Sequence, residues 1–193
     1  EKVFKKNIER VYSFSNSKKI YAILLHDSSS LKNKKKRDVI FSEINQLKSK
    51  KLLKKFGVSV YSVKELKDVL KIFKPEIVQL PISIINQTFL DNNFLKNLKK
   101  KKIEIHARSI FLQGLLISDY NKIPKYFKRK KVLKNFFSFL RVTKISPSKL
   151  CIKFVYNIKE IDKFVIGFNN LTQLKQILGY LKNINQININ KKI

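Results

Sequence analysis

The chain has 193 residues, of which 44% are hydrophobic, and these values predict one folded domain with a substantial core rather than a disordered tail. No apolar run is long enough to span a bilayer, and a single cysteine, Cys151, with only two histidines excludes a disulfide framework and a structural zinc site. The formal net charge is +30, and we expect a reducing cytoplasm, without a signal peptide, as the location.

Apolar periodicity and turn residues predict helices and strands that alternate along the whole chain. The predicted helices cover 3–16, 38–53, 62–73, 88–101, 128–141, 146–156 and 171–182. The predicted strands cover 20–26, 54–61, 77–83, 103–109 and 164–168, and a polar tail follows at 183–193. Ser62 and Glu65 form a capping-box pattern, and Ser146-Pro147 is typical of a helix start. This alternation predicts an α/β fold with a parallel sheet.

The apolar run from Ile20 to Asp27 is typical of a strand buried on both faces, and it stops at His26. In parallel α/β sheets, functional groups follow the carboxyl ends of the strands. His26 is therefore a candidate catalytic residue, although a lone histidine at a strand end is more often a structural or surface residue. His106 lies inside a predicted strand and is interpreted as part of the sheet, and Cys151 is interpreted as a core residue.

No glycine-rich phosphate loop follows any predicted strand, which argues against a Rossmann or phosphoryl-transfer domain. An open doubly wound sheet and a (β/α) barrel both fit the alternation. Several strands end in polar residues, and a site assembled from many strand ends favours the barrel. The residues concerned are His26, Ser59, Gln79, Ser109 and Asn169.

Five short motifs at these strand ends resemble the aldo/keto reductase family in their order and spacing. They are Leu24-Leu25-His26, Gly57-Val58-Ser59, Val78-Gln79-Leu80-Pro81, the segment 108–116 and Ile166-Gly167-Phe168-Asn169-Asn170. The resemblance covers most of the chain and corresponds to strands four to eight of the family's barrel. It implies an incomplete (β/α)8 TIM barrel over residues 1–182.

The resemblance implies an oxidoreductase that transfers a hydride between NAD(P)H and a carbonyl substrate such as an aldehyde, ketone or sugar. Family members use an Asp, Tyr, Lys and His set, and His26 matches the histidine that orients and polarises the carbonyl oxygen. The other three lie on earlier strands of the family. We therefore expect this sequence to be the carboxyl-terminal portion of a longer protein and to be inactive alone.

The resemblance also implies a set of cofactor-binding residues. Ser59 and Gln79 match residues that hold the nicotinamide carboxamide, and the loop after the fourth predicted strand matches one along the pyrophosphate, through Ser109, Phe111 and Gly114. The last motif matches the segment around the adenosine half, through Gly167, Phe168, Asn169, Asn170 and Gln173.

Three positions depart from the family pattern. Val60 stands where many members have an asparagine, and Arg108 stands where many have a tyrosine that stacks on the nicotinamide. A guanidinium is also planar and can stack, so Arg108 stays in the predicted set. Asn169 stands where NADP-preferring members carry a basic residue, and Lys175 lies nearby. The choice between NADP and NAD therefore stays open.

Two other functions fit parts of the sequence. A non-catalytic relative could act as a cofactor-binding or regulatory subunit. The positive charge could also indicate a nucleic-acid partner, but only five of the 43 basic residues are arginine, and lysine is a poor tool for bidentate recognition. We interpret the lysines as a solvated surface. The expected partner is a small carbonyl or alcohol, without a specific nucleic acid or a membrane; the oligomeric state is not predicted.

Overall fold

The structure is a computed structural model that describes residues 6, 10, 13, 19–128 and 130–186. A five-stranded sheet runs in the order β1-β2-β3-β4-β5, and the registered pairs β1–β2, β2–β3 and β4–β5 are parallel. The strands are β1 Ile20–Leu25, β2 Leu53–Ser59, β3 Ile77–Pro81, β4 Glu104–Arg108 and β5 Lys163–Phe164. The predicted α/β class with a parallel sheet is confirmed.

The helices precede or follow the strands as the alternation predicts. They are α1 Lys34–Ser49, α2 Val63–Ile72, α3 Phe94–Lys100, α4 Lys125–Lys128, α5 Lys131–Thr143, α6 Pro147–Tyr156 and α7 Leu171–Lys182. Short 3-10 turns form at Ser28–Lys32, Asp91–Asn93, Leu115–Ile117, Tyr120–Lys122 and Ile184–Gln186. In the described part of the chain, no helix combines the length and the apolar character that crossing a membrane requires.

The chain divides into two compact units. The first unit is Glu1–Leu80 with Leu98–Glu104, and the second is Pro81–Asn97 with Ile105–Ile193.

In the first unit, the core forms where α1 packs on β2. Three aromatic rings lie at its centre: Phe56 of β2 stacks on Phe73 with centroids 5.5 Å apart, and Phe41 of α1 meets both rings edge to face. Ile44 and Leu53 are buried beside them. Burying side chains of this size contributes about 1.5–3 kcal/mol each, so this contact fixes α1 against the strands that carry the site.

Gly57 is required by the close approach of β2 and β3. A Cβ atom at this position would lie 1.8 Å from the backbone oxygen of Ile77, where no real Cβ fits. The pairing register places Gly57 opposite Ile77 and Ser59 opposite Gln79. The glycine therefore allows the strand contact that brings Ser59 and Gln79 together.

In the second unit, helices α5 and α6 supply part of the core. Helix α5 buries Leu133, Phe136, Phe137 and Leu140. Helix α6 buries Leu150, Cys151, Ile152 and Val155, together with Lys153. The Lys153 side-chain nitrogen donates to the Ile184 carbonyl at 2.9 Å, which gives this buried polar group a partner and connects α6 to the last described turn.

Several boundaries differ from the predicted ones. Helix α1 begins at Lys34 because the Asn33 side chain caps Lys36, and it ends before Leu52, whose apolar side chain extends the sequence pattern. The predicted helix over 88–101 is instead a 3-10 turn followed by the shorter α3. The predicted helix over 3–16 lies largely outside the described residues. In contrast, α7 has the predicted bounds.

The two terminal strands differ most from prediction. The prediction that β1 is buried on both faces is wrong: its residues are half-buried, Tyr21 is exposed, and the strand is first in the sheet order, next to β2 alone. Strand β5 has two residues rather than five, so Gly167 and Phe168 lie in the loop that follows it. Ile184, in the predicted polar tail, is buried; residues 187–193 of that tail lie outside the described residues.

Candidate functional site

His26 lies directly after β1, and its ring contacts Tyr61, which follows β2. The Tyr61 hydroxyl and Nε2 of His26 are 3.1 Å apart, a hydrogen bond in which either group can donate. The rings meet edge to face, with centroids 5.7 Å apart and an interplanar angle of 78°. Both side chains are exposed, so the imidazole is held at the strand ends while it remains open to a small molecule.

Local hydrogen bonds shape the turn after His26. Asp27 caps the 3-10 turn, and its carboxylate accepts from the Ser29 N–H at 3.0 Å. Hydrogen bonds from the side chain and then the backbone of Ser29 hold the pKa of Asp27 below its ordinary value. A carboxylate that is negative at neutral pH therefore stands next to the imidazole in sequence.

A second carboxylate, that of Glu65 on α2, reaches both strand-end loops. One oxygen accepts from the Ser28 hydroxyl at 2.5 Å, and the other accepts from the Tyr61 N–H at 2.7 Å. The predicted Ser62 cap is confirmed, since its hydroxyl accepts from the Glu65 N–H at 3.1 Å. The return bond of a capping box differs from the prediction, because the Glu65 carboxylate bonds the residue before the cap instead.

Ser59 and Gln79 are neighbours on adjacent strands. Ser59 is buried at the end of β2, and its hydroxyl lies 3.5 Å from the side-chain oxygen of Gln79 on β3. The Val60 N–H donates to the Gln79 carbonyl at 3.1 Å, which fixes the backbone beside this pair. The two residues predicted to hold a carboxamide therefore present a polar pair at the strand ends.

The loop after β4 has an unusual backbone. Ser109, Leu112, Gln113 and Gly114 have φ angles of 57°, 47°, 55° and 89°. Three of these residues carry side chains, for which the left-handed region costs about 1 kcal/mol or more each. These left-handed residues turn the chain sharply within the loop, and others occur at Lys51, Lys102 and Lys144, outside the candidate site.

The segment after β5 is fixed by a reciprocal cap at the start of α7. The Asn170 side chain accepts from the Gln173 N–H at 2.9 Å, and the Gln173 side chain accepts from the Asn169 N–H at 2.8 Å. These bonds satisfy amide groups that a helix start leaves unpaired. They also hold Asn169 and Gln173 in a defined arrangement.

The loop after β4 and the segment after β5 line one cavity of about 260 Å³ in the second unit. Seven of the predicted cofactor-binding residues contribute to its wall: Ser109, Phe111, Gly114, Gly167, Phe168, Asn169 and Gln173. Apolar residues such as Ile117 and Val165 also line this cavity. Sequence patterns do not identify them, because they resemble any other hydrophobic residue of a loop or strand. The wall therefore combines polar groups, aromatic rings and glycines.

The other predicted residues lie elsewhere. The Arg108 guanidinium donates to the Ser109 hydroxyl at 3.2 Å, so it braces the loop from outside the cavity lining. Asn170 acts as a helix cap. His26, Ser59 and Gln79 belong to the first unit. The sequence prediction includes neither Tyr61 nor the contacts of Glu65 with the two loops. The position of Tyr61, two residues beyond a strand end, is the signal that could have identified it.

The remaining candidate groups lie inside secondary-structure elements, His106 in β4 and Cys151 in α6. His106 is half-buried within β4, as interpreted from its strand position. Cys151 is fully buried, and burial raises the pKa of its thiol to about 12, which keeps it protonated. Among residues 19–128 and 130–186, no group of three or more His, Cys, Asp or Glu side chains could hold a metal ion.

Solved structures with low sequence identity to this chain have similar folds. The apo form of aldo-keto reductase AKR11C1 from Bacillus halodurans superposes with a TM-score of 0.73 at 14% identity, and the match covers 92% of this chain and 62% of that one. Glycerol dehydrogenase AKR11B4 from Gluconobacter oxydans gives a TM-score of 0.60 at 15% identity, covering 98% of this chain and 67% of the other. This chain therefore spans about three fifths of the first structure's length.

A comparison of sequences alone gives the family. None of the curated protein sequences matches the chain. The model of the aldo/keto reductase family matches residues 6–191, which is nearly the whole sequence. Since that match agrees with the resemblance of the strand-end motifs and with the fold, the chain belongs to the aldo/keto reductase family.

Proposed function

We propose that this chain supplies the cofactor-binding part, and one catalytic residue, of an oxidoreductase that transfers a hydride between NAD(P)H and a carbonyl substrate. The observation that supports it best is the cavity shared by the loop after β4 and the segment after β5, since the sequence motifs point to both loops independently of the geometry. In this proposal the five strands correspond to strands four to eight of an eight-stranded barrel.

The cavity suits part of a dinucleotide. Its volume of about 260 Å³ is just below that of a pocket for a whole drug-sized ligand. Phe111 and Phe168 offer flat apolar surface, while Ser109, Asn169 and Gln173 offer hydrogen-bonding groups around it. The start of α7 adds a region of positive helix dipole. Ser59 and Gln79 would hold the carboxamide through their hydroxyl and amide groups.

When bound, the nicotinamide cofactor supplies or accepts the hydride. The chain's own contribution to the reaction is His26, whose imidazole would orient the carbonyl oxygen and stabilise the negative charge that develops on it. A hydrogen-bond donor aimed at such a charge contributes about 3–4 kcal/mol in other enzymes. The substrate is proposed only as a class, an aldehyde, ketone or sugar, or the corresponding alcohol.

Cofactor binding is tested directly by titrating the chain with NADPH and with NADH and following reduced-nicotinamide fluorescence. We expect saturable binding of at least one of the two, and the better ligand gives the preference between NADP and NAD. Gln173→Ala should weaken binding about fivefold or more, the equivalent of losing one hydrogen bond of about 1 kcal/mol. No saturable binding of either nucleotide would refute the proposal.

Gln176→Ala is the matched control, because Gln176 is an exposed residue of the same helix outside the cavity. Its affinity should stay within about twofold of the parent chain, less than half a kcal/mol. Equal weakening by both variants would mean that the effect arises from α7 in general and not from the cavity.

We propose that the 193-residue chain binds cofactor without turnover, because its motifs match only the histidine of the family's Asp, Tyr, Lys and His set. Binding without turnover in a longer protein that contains this sequence would instead favour a non-catalytic, cofactor-binding subunit. A cytoplasmic location is also proposed, since a reducing compartment suits a protein whose single cysteine is a buried thiol.

A further inference from the structure

We propose that Glu65 is a positioning residue for His26, acting through the two strand-end loops that its carboxylate joins. The inference rests on the proposed function, because it assigns a role toward the residue that would face the carbonyl. Glu65 would touch neither substrate nor cofactor. Its effect would be to keep the His26 ring in a single orientation.

The first contact of the Glu65 carboxylate is with the loop after β1. Ser28 follows His26 by two residues, and its hydroxyl donates to the Glu65 carboxylate at 2.5 Å. A hydrogen bond to a charged group is stronger than one between neutral groups when it is shielded from water, and both residues are half-buried. The backbone that leaves His26 is therefore attached to α2.

The second contact of the Glu65 carboxylate is with the loop after β2. The Tyr61 N–H donates to the other Glu65 oxygen at 2.7 Å, which fixes the backbone from which the Tyr61 side chain projects. The Tyr61 hydroxyl then meets Nε2 of His26 at 3.1 Å. One carboxylate thus determines the position of both partners in the His26–Tyr61 contact.

The need for such a device follows from exposure. His26 and Tyr61 are both exposed, and Tyr61 is 58% accessible, so packing alone does not select one rotamer. Catalytic groups need orientation within about 10–20° to be effective. An ordinary capping box would place the Glu65 carboxylate on the backbone of the cap residue, whereas here both of its oxygens serve the neighbouring loops.

The test is a proton NMR measurement on the full 193-residue chain, in which His26 is easily assigned because the sequence has only two histidines. The parent chain should show a nuclear Overhauser cross-peak between the ring protons of His26 and Tyr61, whose centroids are 5.7 Å apart. Glu65→Ala should lose most of that intensity, and Glu65→Gln, which keeps one acceptor oxygen, should retain an intermediate value.

Two further variants separate positioning from general folding. Ser62→Ala removes the cap of the same helix but leaves the Glu65 carboxylate in place, so it should keep the cross-peak. Tyr61→Phe keeps the Glu65 contacts to the backbone but removes the hydroxyl, so its cross-peak should weaken. An unchanged cross-peak in Glu65→Ala, or equal loss in Ser62→Ala, would overturn the proposal.

NADPH and NADH binding is measured on the same samples. If Glu65→Ala loses the ring contact but the parent chain binds neither nucleotide, the proposed function fails, while the control of the His26 ring orientation by Glu65 stands. If the parent chain binds nucleotide and the ring contact is independent of Glu65, the positioning role alone fails.

Discussion

His26 stands at the end of a strand, where its imidazole contacts the Tyr61 hydroxyl. In the proposed function, His26 acts on the carbonyl group and not on the nucleotide. This separation has a direct experimental consequence.

We predict that His26→Ala leaves the affinity for NADPH or NADH within about twofold of the parent chain, less than half a kcal/mol. The reason is that His26 is not among the residues that line the cavity proposed for the cofactor. Fluorescence titration checks this, with Gln173→Ala as the positive control. Equal losses of affinity in the two variants would contradict the assigned role of His26.

A second polar cluster, within the first unit, joins residues of β1 and β2 to Glu104, the first residue of β4. The Tyr21 hydroxyl donates to the Glu104 carboxylate at 2.5 Å, and Lys55 forms an ion pair with the same oxygen. Glu104 is 9% exposed, and both partners offset the cost of burying its carboxylate. The hydrogen bond to Glu104 raises the pKa of Lys55 above its ordinary value.

Because the pKa of Lys55 is raised on folding, its ion pair stabilises the fold fully below the unfolded pKa of about 10.4. That contribution is lost as the pH rises through the folded pKa. We predict that Glu104→Gln costs about 1–3 kcal/mol at pH ~8 and less at pH ~11.5. Urea unfolding at the two pH values measures this. A cost that grows with pH would contradict the assignment.

Asp68→Asn is the control for that series, since Asp68 forms an ion pair with Lys71 on the surface of α2. Exposed pairs of this kind contribute about 0–1 kcal/mol. Its effect should therefore be small at both pH values.

At the scale of elements, the β2–β3 contact leaves no room for a side chain at Gly57. We predict that Gly57→Ala destabilises the chain by at least about 3 kcal/mol, because the new Cβ would overlap the Ile77 backbone oxygen and a strand cannot yield as a side chain does. Thermal or urea unfolding gives the value.

Gly179→Ala offers the opposite expectation in the same experiment. Gly179 lies in α7, and a Cβ added there would meet no neighbouring atom within 4 Å. Alanine should therefore stabilise the helix by about 0.5–1 kcal/mol. If both alanine variants changed stability in the same direction, the steric account of Gly57 would be wrong.

Element types can be predicted from the sequence because local signals agree with the fold. Helix α7 is predictable to the residue, since Asn170 caps it and its apolar spacing is regular. Helix α1 is harder to place because Leu52 and Leu53 continue its periodicity although they lead into β2. The length of β5 depends on pairing with β4, which no local pattern encodes.

The candidate site is also predictable only in part. Residues that follow strands can be identified because parallel strands present their carboxyl ends at one edge. The contacts of Tyr61 and Glu65 cannot be predicted from the sequence. Tyr61 contacts His26 across 35 residues of sequence, and Glu65 accepts from Ser28 across 37 residues. Such pairs follow from the fold and not from spacing.

At the scale of the whole molecule, the excess of positive charge opposes compactness. The formal net charge is +30, so the positive side chains should repel one another in dilute buffer. Salt screens this repulsion, because the Debye length falls from about 30 Å at ~0.01 M to about 10 Å at ~0.1 M salt. Repulsion among exposed lysines should therefore lower the free energy of unfolding by an amount that decreases as salt is added.

We predict that the melting temperature rises with sodium chloride between about 0.01 M and about 0.3 M, by about 2–8 °C if about 1–2 kcal/mol of repulsion is relieved. Calorimetry at fixed pH measures the shift, and sucrose at equal osmolality is the control for excluded-solute effects. A melting temperature that falls with salt would mean that ion pairs outweigh repulsion.

Strand β5, with only two residues, carries a consequence for local opening. Its neighbours Val165 and Phe168 are each 49% exposed, whereas Ile77, Val78 and Leu80 of β3 are fully buried. Amide protons from 163 to 170 should therefore exchange with deuterium far sooner than those of β3, because opening this segment exposes little apolar surface. A nucleotide seated in the adjoining cavity would slow that exchange, so protection of 163–170 would report occupancy without any measurement of turnover.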